Sequence, residues 1–82
     1  MYKILIERRA EQDLDRLEPK MRNRVIAHLL ILKNNPRTNA KKLKGADNTW
    51  RIRTGDFRII YEIEDKNKII KIYRIKHRSK AY

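Results

Sequence analysis

The stretch Trp50-Arg51-Ile52-Arg53-Thr54-Gly55-Asp56-Phe57-Arg58-Ile59-Ile60-Tyr61 decides the fold. Two runs rich in β-branched and aromatic residues flank Gly55-Asp56, and Gly at the first of two turn positions specifies a type II′ hairpin. If those two residues are the whole loop, Thr54 faces Phe57, Arg53 faces Arg58, Ile52 faces Ile59 and Arg51 faces Ile60. Directly opposed residues share a face, and successive residues alternate between faces. Trp50, Ile52, Ile59 and Tyr61 therefore point one way, and Arg51, Arg53 and Arg58 the other.

Working outward, the second strand runs on to Glu64, and a third spans Lys68 to His77. Its Ile69, Ile70, Ile72, Tyr73 and Ile75 read as apolar on both faces, which places that strand inside the sheet. Upstream, residues 37–49 form a polar connection containing Lys41-Lys42-Leu43-Lys44-Gly45. Before it, Pro19 suits the first position of a helix because it has no N–H to lose there. Met21, Val25, Ile26, Leu29, Leu30 and Leu32 give that helix a broad apolar face, and Asn34-Asn35-Pro36 ends it. Ala10, Leu14 and Leu17 recur at i, i+4, i+7 and predict a thinner amphipathic helix. Tyr2, Ile4 and Ile6 alternate with Lys3, Leu5 and Glu7 as a short first strand. The order is β-α-α-β-β-β: an α+β domain with a helical hairpin on one face of a mainly antiparallel four-stranded sheet.

Its 82 residues carry 22 Lys plus Arg against 10 Asp plus Glu, a net charge of +12. That length predicts one domain over residues 1–82. No cysteine is present, which excludes disulfides, thiol catalysis and cysteine-bound zinc. Val25 to Leu32, interrupted by His28, is the longest apolar run, far short of the ~20 residues that span a bilayer. The opening residues reach Glu7 too early for a signal peptide, so a soluble, cytoplasmic protein with a polyanionic partner is expected. Residues 1–40 hold nine basic and five acidic side chains, and residues 41–82 hold thirteen and five. A polyanion-facing surface should come from the second half.

Arg53 opposite Arg58 costs a hairpin a few tenths to ~1 kcal/mol. Folding does not require such a pair, whereas anion binding uses it, since the planar guanidinium donates two hydrogen bonds to one phosphate. A single arginine on a solvated sheet face is ordinary. Three on adjacent strands, sharing that face with Glu62 alone among carboxylates, favour a phosphate site. Trp50, Phe57 and Tyr61 are expected in the core, and a diagonal ion pair between Glu62 and Arg51 is the plainer reading of that carboxylate. Lys76-His77-Arg78-Ser79-Lys80-Ala81-Tyr82 adds three further cations, an imidazole and a phenol.

From Lys42 onward, Lys-Leu-Lys-Gly, the strand-turn-strand stretch and the ending Lys76-His77-Arg78-Ser79-Lys80-Ala81-Tyr82 resemble the RelE family of toxins, within the RelE/ParE superfamily. The likeness implies a RelE-like, microbial-RNase-like fold. It also implies the toxin of a type II toxin–antitoxin system, a ribosome-dependent messenger-RNA interferase that uses the ribose 2′-hydroxyl as nucleophile without a metal or other cofactor. The family's catalytic positions fall on Arg51, Arg53, Arg58, Arg78 and Tyr82. Some relatives carry Lys where this chain has Arg51. A guanidinium stays protonated and makes a poor base, which leaves Lys76, His77, Tyr82 and Glu62 as candidates for proton transfer. Lys41, Lys42, Lys44 and Lys80 are expected to contact RNA or ribosome. The implied partners are a RelB-like antitoxin, in a higher-order hetero-oligomer, and the ribosome with its messenger. The other readings are a ParE-like gyrase inhibitor, a non-catalytic RNA-binding or ribosome-binding protein, and an inactive toxin-like regulator.

Overall fold

The computed structural model describes residues 1–37, 39–43 and 48–77. In chain order these form β1 (Lys3–Ile6), α1 (Arg8–Asp15), α2 (Pro19–Asn34), β2 (Lys41–Lys42), β3 (Thr49–Thr54), β4 (Phe57–Glu64) and β5 (Ile69–His77). One sheet orders the strands β1-β5-β4-β3-β2. It has five strands rather than four, because Lys41 and Lys42 pair with Arg51 and Trp50 at the far edge. Among the described strands only β1 and β5 run parallel, from Lys3 beside Ile69 to Ile6 beside Ile72. A parallel pair needs a long crossover, and the α1–α2 hairpin supplies it.

β5 lies inside the sheet, as expected, between β1 and β4. The expectation that it is apolar on both faces is corrected by a bulge. Ile60 pairs with Arg74 while Tyr61 pairs with Ile72, so Tyr73 is one residue too many. An inserted residue reverses which face every later side chain takes. Ile70 and Ile72 before the bulge and Ile75 after it thus share one buried face, though the last two are three apart in sequence.

That face meets the helices. Ile52, Phe57, Ile59, Tyr61, Ile63, Ile70, Ile72 and Ile75 pack with Ala10 and Leu14 of α1 and with Val25, Leu29 and Leu32 of α2. The α2 stripe that packs follows the i, i+4, i+7 spacing. Ile26 and Leu30, expected on the same apolar face, stand outside it and are exposed, as is Ile31. Pro19 opens α2, and Asn34 closes it. In the turn between the helices Arg22 donates from Nε to the Leu14 carbonyl, which also accepts the Leu17 N–H, and from Nη2 to the Leu17 carbonyl, adding donors where the end of α1 runs short of them.

Two polar contacts fix the chain after α2. The buried Tyr61 hydroxyl donates to the Pro36 carbonyl. Arg37 forms a two-pronged bond with Asp65, which also accepts the Tyr2 hydroxyl at 2.6 Å. The Arg37 guanidinium lies 5.5 Å from the Trp50 ring centroid, which leaves that indole partly buried. Phe57 and Tyr61 reach the core as expected.

Candidate nucleic-acid interface

The β3–β4 register sets Thr54 opposite Phe57, Arg53 opposite Arg58, Ile52 opposite Ile59 and Arg51 opposite Ile60, as the two-residue turn predicts. Gly55 has φ +59°, and Asp56 does not share a positive φ, which agrees with a type II′ turn. Ile52 and Ile59 lie under the helices, while Arg51, Arg53 and Arg58 stand on the uncovered face.

The neighbouring strands enlarge this cationic set. Across β4–β5, Arg58 faces Lys76, so Arg53, Arg58 and Lys76 form one row over three adjacent strands. Across β2–β3, Lys41 faces Arg51 and begins a second row. The alternation on β5 would have turned Lys76 beneath the helices had the strand been regular; the bulge at Tyr73 brings it outward. Among the described residues the ion pairs are Arg37–Asp65 and Arg74–Asp13, and neither involves a member of these rows.

Glu62 lies on the same face but does not pair with Arg51. Its carboxylate accepts the Tyr73 hydroxyl at 3.2 Å. Burial, and then this bond, push the Tyr73 phenol above its ordinary value, so it remains a donor at neutral pH.

A cleft of about 220 Å³ opens between Asn39, Lys41, Arg51 and Arg53. Asn39 joins it from the loop before β2 with φ +60°, a left-handed conformation that asparagine tolerates better than most side chains. The sequence reading did not include Asn39; its residue type in a polar loop was the available signal.

The two proton-transfer candidates on β5 part company. His77 faces Phe57 on the helix-covered side, with ring centroids 4.9 Å apart in an edge-to-face contact. It lines a separate cavity of about 440 Å³ with Asp13, Leu17, Met21 and Phe57 among others. Lys42 faces Trp50, on the opposite side from Lys41. Lys44, Arg78, Lys80 and Tyr82 lie outside the described residues.

The strand end that holds Lys76 depends on a buried carboxylate. β1 stops at Ile6, beside Ile72, leaving the next part of that edge of β5 without a strand partner. Asp13 fills the gap: its Oδ2 accepts the Ile75 N–H and the Arg74 Nε–H, each at 2.9 Å. Helix α1 thereby stands in for the missing strand.

A helical hairpin on a five-stranded mixed sheet, its open face carrying the Arg53–Arg58–Lys76 row with no carboxylate partner among the described residues, defines a small, basic α+β protein of the RelE type. A family profile described as "ParE toxin of type II toxin-antitoxin system, parDE" matches residues 4–82. The chain belongs to this family, within the RelE/ParE superfamily of toxins. It is 33% identical to "Putative toxin RelE1" of Methanocaldococcus jannaschii, over 99% of this chain and 94% of that protein. Its structure is similar to the toxin in the RelBE2 toxin–antitoxin complex of Mycobacterium tuberculosis, with TM-score 0.87 and 28% identity over 94% of this chain and 98% of that one. It is also similar to the archaeal RelE–RelB complex of Pyrococcus horikoshii OT3, with TM-score 0.81 and 30% identity over 98% of both chains. The isolated RelE toxin of E. coli shares the fold, with TM-score 0.85 and 19% identity over 99% of this chain and 88% of that one. No helix among the described residues is long and apolar enough to cross a membrane.

Proposed function

We propose that this toxin is a ribosome-dependent endoribonuclease that cuts messenger RNA by attack of a ribose 2′-oxygen on the adjacent phosphorus. The observation that supports it is the row Arg53–Arg58–Lys76, uncompensated among the described residues and presented on a rigid sheet. In this reaction an O2′–P bond forms and the P–O5′ bond breaks, giving a 2′,3′-cyclic phosphate and a 5′-hydroxyl. The 2′-hydroxyl loses its proton to a base, and the departing O5′ gains one.

The guanidinium groups of Arg53 and Arg58 hold the non-bridging oxygens and stabilise the charge that accumulates on them in the transition state. Arg78 belongs to the same proposed set, and Arg51, two residues from Arg53 on β3, binds the messenger beside it. Lys76 stands at the end of the row with an ammonium to offer the departing O5′, and Tyr82 remains a candidate for stacking or proton transfer. The ribosome contributes position, holding the messenger in line for attack, and the reaction takes place in the cytoplasm, where translation occurs.

Primer extension on a translated messenger tests this reading. Cuts inside ribosome-occupied codons, lost in Arg58→Ala, are expected. An uncut messenger in the presence of folded wild-type protein overturns it. The matched family description favours one second reading, gyrase inhibition of the ParE kind, for which trapped double-strand breaks with purified gyrase are the signature. We further propose a cognate RelB-like antitoxin, with acidic residues against the cationic face, assembling with the toxin as a higher-order hetero-oligomer. Co-purification from cells carrying both reading frames checks it.

A further inference from the structure

Two rows of cations cross the open face, and they are spaced along the strands. The first is Arg53, Arg58 and Lys76; the second is Lys41 and Arg51, with Asn39 at its end. Arg51 and Arg53 lie two residues apart on β3, a rise of about 6.6 Å. That is close to the separation of successive phosphates along an extended single strand. Among the described residues no acidic side chain lines the cleft between Asn39, Lys41, Arg51 and Arg53, whose volume of about 220 Å³ is on the scale of a phosphate with its ribose.

From this geometry we infer that the Asn39–Lys41–Arg51 cleft is a second phosphate subsite, one nucleotide away from the phosphate gripped by Arg53, Arg58 and Lys76, so that single-stranded RNA runs along β3 rather than across it. The inference rests on the nuclease reading for the identity of the first row. It adds a direction for the strand and separates Lys41 from Lys42, whose side chain belongs to the other face. Ile60, opposite Arg51, carries no charge, and Arg74, which follows it across β4–β5, is held by Asp13, so the charge that row offers a ligand lies on its β2–β3 side. The second phosphate is therefore displaced toward the edge strand β2. Asn39 can donate its carboxamide N–H to the same phosphate, as charge-neutral phosphate contacts commonly do.

Binding of non-cleavable 2′-O-methyl oligonucleotides tests this without depending on catalysis. The probes are a dinucleotide, with one phosphodiester, and a trinucleotide, with two, titrated by NMR against wild type, Lys41→Ala, Lys42→Ala and Arg58→Ala. In wild type the second phosphodiester should raise affinity about tenfold, the scale of one added charge-assisted contact. Lys41→Ala should erase most of that gain while changing dinucleotide affinity no more than about twofold, because a single phosphate can still use the first row. With a longer single strand, the slope of log affinity against log salt should fall by about 0.7 in magnitude. Lys42→Ala should preserve the gain, and Arg58→Ala should weaken both probes.

Equal losses in Lys41→Ala and Lys42→Ala, or equal losses on both probes in Lys41→Ala, overturn the two-row arrangement. If wild type still cuts translated messenger, only the second subsite falls. If no messenger is cut, the nuclease reading falls whatever the oligonucleotides do. Amide resonances that keep their dispersion in each variant certify the fold.

Discussion

Arg53 and Arg58 stand directly opposite one another across the β3–β4 hairpin, with no acidic partner among the described residues. Like charges in that relation oppose folding by a few tenths to ~1 kcal/mol. The same pair is the centre of the proposed phosphate grip, so stability and activity should move in opposite directions when it is broken. Arg58→Gln is expected to raise the melting temperature by about 1–5 °C, given the usual sensitivity of a domain this size. Messenger cleavage should fall about 100-fold, the scale of losing one transition-state donor. Thermal unfolding and primer extension on one preparation check both halves.

Asp13 offers a sharper stability test. Its side chain is 6% exposed and accepts from both Arg74 and the Ile75 amide. Asp13→Ala leaves that amide and guanidinium without this acceptor and should cost about 3 kcal/mol by denaturant titration. Asp13→Asn keeps an acceptor for the Ile75 N–H and should cost less. Hydrogen exchange at Ile75 should quicken in the alanine variant before exchange in β4 does.

At the hairpin tip, Gly55→Ala isolates a backbone effect. A Cβ there would meet Arg24 Nη1 at 3.9 Å, an ordinary contact, so space is not the obstacle. The left-handed φ of +59° is, and it should cost about 1–2 kcal/mol. Replacing Gly55 by Asn, which tolerates this region better, should recover part of the loss.

Two groups contribute to the pH dependence of stability at its acid and alkaline ends. Bonds from Arg37, then from Tyr2, hold the Asp65 carboxyl below its ordinary value. A depressed carboxylate contributes stability above its unfolded pKa, and that contribution is lost as pH falls through the lower folded value. Burial pushes the Tyr61 phenol up to about 12. A raised phenol contributes below its unfolded pKa near 10 and loses that contribution as pH rises toward 12. Asp65→Asn should flatten the decline in stability below about pH 4, and Tyr61→Phe should flatten the alkaline decline. Unfolding curves across both windows check the signs.

How far the sequence disclosed this arrangement depends on the kind of signal. The β3–β4 register was legible because Gly55-Asp56 fixes the loop length, and everything on that hairpin then follows by alternation. Helix α2 was legible in its limits, from Pro19 and Asn34, but not in its buried face. Ile26 and Leu30 are as apolar as Val25 and Leu29, and only the position of the sheet separates them. Strand β2 has two lysines and no apolar pattern, so nothing local announces it. The β5 bulge is equally silent, because Ile72 and Ile75 on one face look like residues on two faces. His77 and Lys76 therefore could not be sorted from sequence. The Tyr2–Arg37–Asp65 cluster joins residues far apart in the chain and leaves no local trace.

The extra residue at Tyr73 works as a switch of handed order at the rim of the site. Deleting it would leave Ile75 opposite Ile59 and Lys76 opposite Arg58, so both would keep their faces, whereas pairing the intact strand without the bulge would turn the ammonium of Lys76 inward and the imidazole of His77 outward. A chain of the same length that paired here without a bulge would therefore present a different proton carrier to RNA.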